Sequence, residues 1–85
     1  MARKDRPNKL QIFRQRATVD EWALLAWYAE TSPDYLRQIA HRYKDKTPSV
    51  IMAYRIEHGT RLLKRANRSL PIVTCHDIAE MILNK

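Results

Sequence analysis

The stretch Thr18-Val19-Asp20-Glu21-Trp22-Ala23-Leu24-Leu25-Ala26-Trp27-Tyr28-Ala29-Glu30-Thr31-Ser32-Pro33-Asp34-Tyr35-Leu36-Arg37-Gln38-Ile39-Ala40 decides the fold. Thr18 and Glu21 stand at capping-box spacing, so each side chain can satisfy a free N–H of the first helical turn. Asp20 and Glu21 also suit the positive end of the helix dipole. From Val19 to Ala29 the segment is apolar nearly all round, which predicts a central helix buried on most sides. Val19, Trp22, Ala23, Ala26 and Ala29 share one face, and its alanines allow another helix to approach closely. The chain then restarts at Ser32-Pro33-Asp34: a good N-cap, a proline at the first helical position and an acid in the first turn. The break at Glu30-Thr31-Ser32 is too short for a comfortable antiparallel pair, so the two helices should cross steeply. The second helix has Leu36, Ile39 and Ala40 on one side and Asp34, Arg37, Gln38, His41 and Arg42 on the other.

Working outward, residues 9–17 place Leu10, Phe13 and Ala17 on one helical face, with Ile12 at its edge. Lys44-Asp45-Lys46 reads as a charged loop. Thr47-Pro48 should start a further helix by the same cap-then-proline logic, with Met52, Ala53 and Ile56 inward. It runs toward Arg65, with a kink or early stop open at Gly59, since glycine inside a helix costs about 1 kcal/mol relative to alanine. Leu70-Pro71-Ile72-Val73 is an extended apolar connector. Thr74 caps a last helix, with Asp77 at its third position and Ile78, Met81 and Ile82 inward. The expectation is an all-α, compact five-helix domain over residues 9–85, preceded by a flexible basic arm at residues 1–8.

Composition narrows the function. A chain of 85 residues is one domain, and 45% hydrophobic with 29% charged residues is globular rather than disordered. A single glycine argues against Gly-rich phosphate loops, and a single cysteine excludes an internal disulfide. The longest apolar run, Trp22 to Ala29, falls far short of the roughly 20 residues of a membrane span. The start of the chain carries no secretory pattern, so a cytoplasmic, nucleoid-associated protein is expected. Net charge is +7, with pI near 10.0, and it is segregated. Residues 1–17 carry six basic and one acidic side chain, residues 18–34 four acidic and no basic ones, and residues 35–68 nine basic and two acidic ones. Such segregation is an electrostatic footprint for a polyanion.

The order Leu25-Ala26, Ala29, a turn, then Leu36 and Ile39 fits the helix-turn-helix pattern, in which Ala26 must be small because the second helix crosses over it. The turn position that is usually glycine is Glu30, which implies either about 1 kcal/mol of strain or a different backbone path. Thr31-Ser32-Pro33-Asp34-Tyr35-Leu36-Arg37-Gln38-Ile39-Ala40 resembles the recognition-helix segment of Cro/YdaS-like helix-turn-helix regulators of phages and prophages. The likeness continues in Pro48-Ser49, Ala53, Ile56-Glu57 and Thr60, and again in Leu70-Pro71-Ile72-Val73-Thr74 with Asp77-Ile78. It covers roughly residues 10–80 and departs at Glu30 and in a basic insertion, Arg61 to Arg68. The resemblance implies a lambda-repressor-like fold and a transcriptional regulator, a Cro-like repressor or self-repressing antitoxin. It also implies a homodimer on a pseudo-palindromic operator in double-stranded DNA.

The groove assigns the residues. The major groove takes one helix and presents a distinct donor and acceptor pattern for each base pair. With the helix of residues 32–43 entering by its N-terminal part, the candidate base contacts are Pro33, Asp34, Arg37, Gln38 and His41. Arginine can bond guanine O6 and N7 together, glutamine adenine N6 and N7, and aspartate can accept from cytosine N4. The candidate phosphate contacts, which set register, are Thr18, Ser32, Tyr35, Arg42, Lys44 and Lys46. The arm residues Arg3, Lys4 and Arg6 can follow the duplex, and Lys64, Arg65 and Arg68 either extend the phosphate track or solvate a helix end.

Other chemistries find less support. Cys75 and His76 adjoin, but neighbouring residues on a helix point about 100° apart, and no third orienting group is visible. His41, His58, His76 and Cys75 lack metal-ligand spacing. Neither an enzyme nor a cofactor, metal or small-molecule ligand is expected. Trp22 and Trp27 read as packing. A homodimer would use the fourth helix beyond Gly59 and the last helix with Ile78, Met81, Ile82 and Leu83. The alternatives are an RNA-binding translational regulator and a phage module that neutralises a host protein through Leu24 and Tyr28.

Overall fold

The computed structural model describes residues 7–41 and 48–83. Among them are five helices and no strand: α1 (Lys9–Arg16), α2 (Val19–Tyr28), α3 (Pro33–Ala40), α4 (Val50–Ala66) and α5 (Cys75–Leu83). Each helix start is fixed by a side chain. Asn8 Oδ1 accepts the Gln11 N–H at 2.8 Å, and Gln11 Oε1 accepts the Asn8 N–H at 3.1 Å, closing a capping box on α1. Asn8 therefore belongs to α1 rather than to the arm, whose residues 1–6, with Arg3, Lys4 and Arg6, lie outside the described residues. Thr18 and Glu21 close the expected box on α2, at 3.1 and 2.8 Å. Thr74 and Asp77 cap α5 as the spacing predicts, the hydroxyl accepting the Asp77 N–H at 3.0 Å.

Two readings of the helices need correction. The cap of α4 is Ser49, not Thr47: its hydroxyl accepts the Met52 N–H at 3.0 Å, which leaves Pro48 just outside the helix. Helix α4 runs unbroken through Gly59 to Ala66, in keeping with the expected run toward Arg65, with Leu63 in the core. Finally, α2 is not buried on most sides. Trp22, Leu25, Ala26 and Ala29 are buried, but Val19 is 85% and Trp27 70% exposed, so Trp27 is no core residue. With neighbours on one side only, α2 buries one stripe, and its remaining apolar residues join the apolar fraction every small domain leaves at its surface.

Packing follows from those stripes. Helix α4 runs antiparallel to α2, as three contacts along their length establish. Arg55 pairs with Glu30 at 3.2 Å, Gly59 lies against Leu25 and Tyr28, and the Asn67 amide reaches the Glu21 carboxylate at 3.2 Å. A Cβ on Gly59 would sit 2.9 Å from Leu25 Cδ1 and 3.0 Å from Tyr28 Cβ, so glycine is what lets these helices close. Around this pair the core gathers Leu10, Phe13, Leu36, Ile39, Ile56, Leu70, Val73 and Ile78, all essentially inaccessible. The one buried polar residue among the described residues, Thr60, donates to the Glu57 carbonyl and accepts the Val73 N–H at 3.1 Å, which ties the extended connector to α4. The Cys75 N–H donates to Glu57 Oε1 at 2.8 Å, fixing the start of α5. Because Ile78 and Met81 are inside this core, they are not available as a dimer surface.

Candidate nucleic-acid interface

Four residues separate α2 from α3, and their backbone is fully accounted for. The Thr31 N–H returns to the Ala26 carbonyl at 2.9 Å and the Glu30 N–H to the Trp27 carbonyl at 3.0 Å. This is a Schellman closure, which requires a left-handed residue at the position after the cap. That residue is Glu30, with φ of 60°, the only non-glycine positive φ among the described residues. Of the two paths open for the turn, the strained one is used. Its glutamate side chain holds Arg55, so the turn is fastened to α4.

The turn delivers α3 with one face inward. Leu36, Ile39 and Ala40 are buried, Ala26 and Ala29 beneath them are fully so, and Trp22 Nε1 donates to the Pro33 carbonyl at 3.1 Å. The Ser32 hydroxyl accepts the Tyr35 N–H at 3.0 Å. On the outer face, Arg37 Nη2 donates to Asp34 Oδ1 at 2.7 Å and Gln38 Nε2 to Asp34 Oδ2 at 3.0 Å. These hydrogen bonds, Arg37's first and Gln38's second, together with the positive charge of Arg37, hold the Asp34 carboxyl below its ordinary range. Both Asp34 oxygens are thus engaged, and the carboxylate holds Arg37 and Gln38 side by side on the outer face. Arg37 has five N–H donors and spends one of them here; Gln38 keeps its carbonyl and one amide hydrogen.

The remaining residues divide. Pro33, Asp34, Arg37 and Gln38 come together on the first two turns of α3. His41 sits at its far end as the C-cap, with Nδ1 3.2 Å from the Gln11 amide nitrogen. Thr18 caps α2, and both its backbone N–H and its hydroxyl are bonded to Glu21. Tyr35 is half-buried against the core. Arg42, Lys44 and Lys46 lie outside the described residues. Sequence reasoning missed the Trp22–Pro33 bond, which depends on tertiary placement. The Asp34-Arg37-Gln38 network was legible in principle, because residues three and four apart on a helix are neighbours.

Elsewhere, burial and the nearby Glu57 carboxylate push the Cys75 thiol above its ordinary value, the opposite of an activated nucleophile. Among the described residues no group of three or more His, Cys, Asp or Glu is placed to hold a metal ion, and no helix is long and apolar enough to cross a membrane. The chain matches no protein-family profile, no curated protein and no solved structure.

Proposed function

We propose that the protein is a sequence-specific double-stranded DNA-binding regulator of helix-turn-helix, Cro-like type that lays α3 in the major groove. The observation that carries this reading is the exposed Asp34–Arg37–Gln38 network on a helix whose opposite face is locked into the core. Two side chains able to read purine edges are held in one orientation before any ligand arrives, which lowers the ordering cost of binding. The net charge of +7 supplies the long-range attraction to a polyanion.

A homodimer on a pseudo-palindrome belongs to the same proposal, since an eight-residue helix alone reads too few bases for a useful specificity ratio. Selection of bound fragments from a random duplex pool tests the reading. It predicts enrichment of one motif with two-fold character; recovery of unenriched sequence refutes it. One observation favours a second reading as a protein-interaction module. Trp27, Val50, Ile51 and Tyr54 are each more than half exposed, and large aromatic and aliphatic side chains of this kind can anchor a protein contact. The same selection separates the two, because such a module enriches nothing.

A further inference from the structure

Resting on the reading of α3 as a groove-binding helix, we propose that Arg14, Arg16, Arg65 and Arg68 form a second contact surface for the phosphodiester backbone of the same duplex. No sequence spacing joins these residues, since they come from the ends of α1 and α4, fifty residues apart. The fold brings these two helix ends to the N-terminal end of α2. The Arg16 guanidinium donates to the Ser69 carbonyl at 3.0 Å, which sets it beside Arg68. The Asn67 amide on Glu21 holds this end of α4 against the first turn of α2. The Arg14 guanidinium lies 5.8 Å from the centroid of the Trp22 ring, the same ring whose Nε1 donates to the Pro33 carbonyl at the start of α3. A chain of direct contacts thus runs from the α4 terminus to the entering end of α3.

Arg65 and Arg68 differ from the other cations nearby. Lys64 is spent on the carbonyls of Arg68 and Leu70, at 3.0 and 2.7 Å, and Arg61 is paired with Glu57 at 2.6 Å. The side chains of Arg65 and Arg68 are exposed and make no hydrogen bond or ion pair with a described residue. Two acids face this surface from α2. Glu21 is already engaged by the Thr18 N–H and the Asn67 amide, and Asp20 is exposed on the first turn. Arg61, Lys64, Arg65 and Arg68 also line one shallow depression, so the free guanidiniums border a concave surface. Arginine forks match phosphate oxygens two at a time, whereas a surface kept only for solubility has no need of guanidinium geometry.

The test is the salt dependence of binding, followed by fluorescence anisotropy from about 0.05 to 0.3 M salt, on a duplex selected by the full chain and on a scrambled one of equal length. The double variant Arg65→Gln/Arg68→Gln should lose about 1.8 from the slope of log affinity against log salt, about 0.9 for each phosphate released. Affinity should fall about tenfold or more on both duplexes alike, with the preference between them unchanged. Arg65→Lys/Arg68→Lys should recover part of the slope, and an unchanged thermal midpoint shows that the variants fold. An unchanged slope overturns the proposal. So does an unchanged slope accompanied by lost binding to vesicles of anionic phospholipid, which assigns the surface to lipid headgroups. If the wild-type chain has no preference for any duplex, the reading of α3 fails, while the slope still decides this surface.

Discussion

The left-handed turn at Glu30 makes a prediction whose sign is unusual. In a helix interior, glycine is less stable than alanine by about 1 kcal/mol. At φ of 60° the order inverts, because alanine keeps the Cβ clash that glycine lacks. A non-glycine residue held there costs on the order of 1 kcal/mol. Glu30→Gly and Glu30→Ala both remove the ion pair with Arg55, in which Glu30 is 68% exposed. That loss, about 0.2–1 kcal/mol for an exposed pair, is common to the two variants and cancels in their difference. Glu30→Gly should therefore be more stable than Glu30→Ala by about 1 kcal/mol, or roughly 4–8 °C in Tm for a domain this small. Against wild type, Glu30→Gly should be near neutral, the relieved strain offsetting the lost pair, and Glu30→Ala somewhat destabilised. Thermal and urea unfolding followed by far-UV circular dichroism measure all three. If Glu30→Ala equals or exceeds Glu30→Gly, the turn is not left-handed at this residue and the argument for how α3 is presented is wrong.

Three further outcomes are expected. Gly59→Ala should lower Tm despite the gain of about 1 kcal/mol in helix propensity, because its methyl meets Tyr28 Cβ at 3.0 Å and that atom cannot swing away; a raised Tm would show that α2 and α4 are not in close contact. The Glu57 carboxyl is held below its ordinary range, first by Arg61 and then by the Cys75 N–H. Its folded value lies below its unfolded one, so its stabilisation is complete above about pH 4.3 and is lost as pH falls through the lowered value. Urea midpoints across that acid range should fall less steeply for Glu57→Gln than for wild type, and parallel curves would remove Glu57 from the account. In the proposed binding site, Arg37→Ala should flatten base preference at one operator position by about 1–3 kcal/mol, and Asp34→Ala should broaden preference at the positions of both Arg37 and Gln38. Loss confined to overall affinity, measured on single-base variants of a selected duplex, would show that these side chains do not read bases.

The elements with local signatures were legible in the sequence, and those set by neighbours were not. Thr18 with Glu21, Ser32 with Pro33, and Thr74 with Asp77 announce three helix starts because a cap is a local hydrogen bond. Asn8 and Ser49 satisfy the same chemistry but were overlooked, the first hidden in a basic arm and the second displaced by a more conspicuous Thr-Pro pair. The apolar stripe Leu36-Ile39-Ala40 is buried as its spacing implies. The exposure of Val19 and Trp27 was not legible, because burial depends on how many sides of a helix find partners rather than on how apolar it is. Gly59 looked like a breaker for a related reason: only the position of Tyr28 reveals that it is a contact point. Within the candidate site, the chemistry of Arg37 and Gln38 was readable from residue type. That Asp34 bonds to both is implicit in their spacing of three and four residues, and the bond lengths fix it.

Nuclear magnetic resonance of the isotope-labelled chain, titrated with a duplex drawn from the selection, probes the central claim most directly. Backbone amide shifts should concentrate on Ser32 through His41, with Arg37 and Gln38 side-chain resonances among the most displaced. Shifts confined to the exposed apolar residues Trp27, Ile51 and Tyr54, with α3 silent, would contradict it.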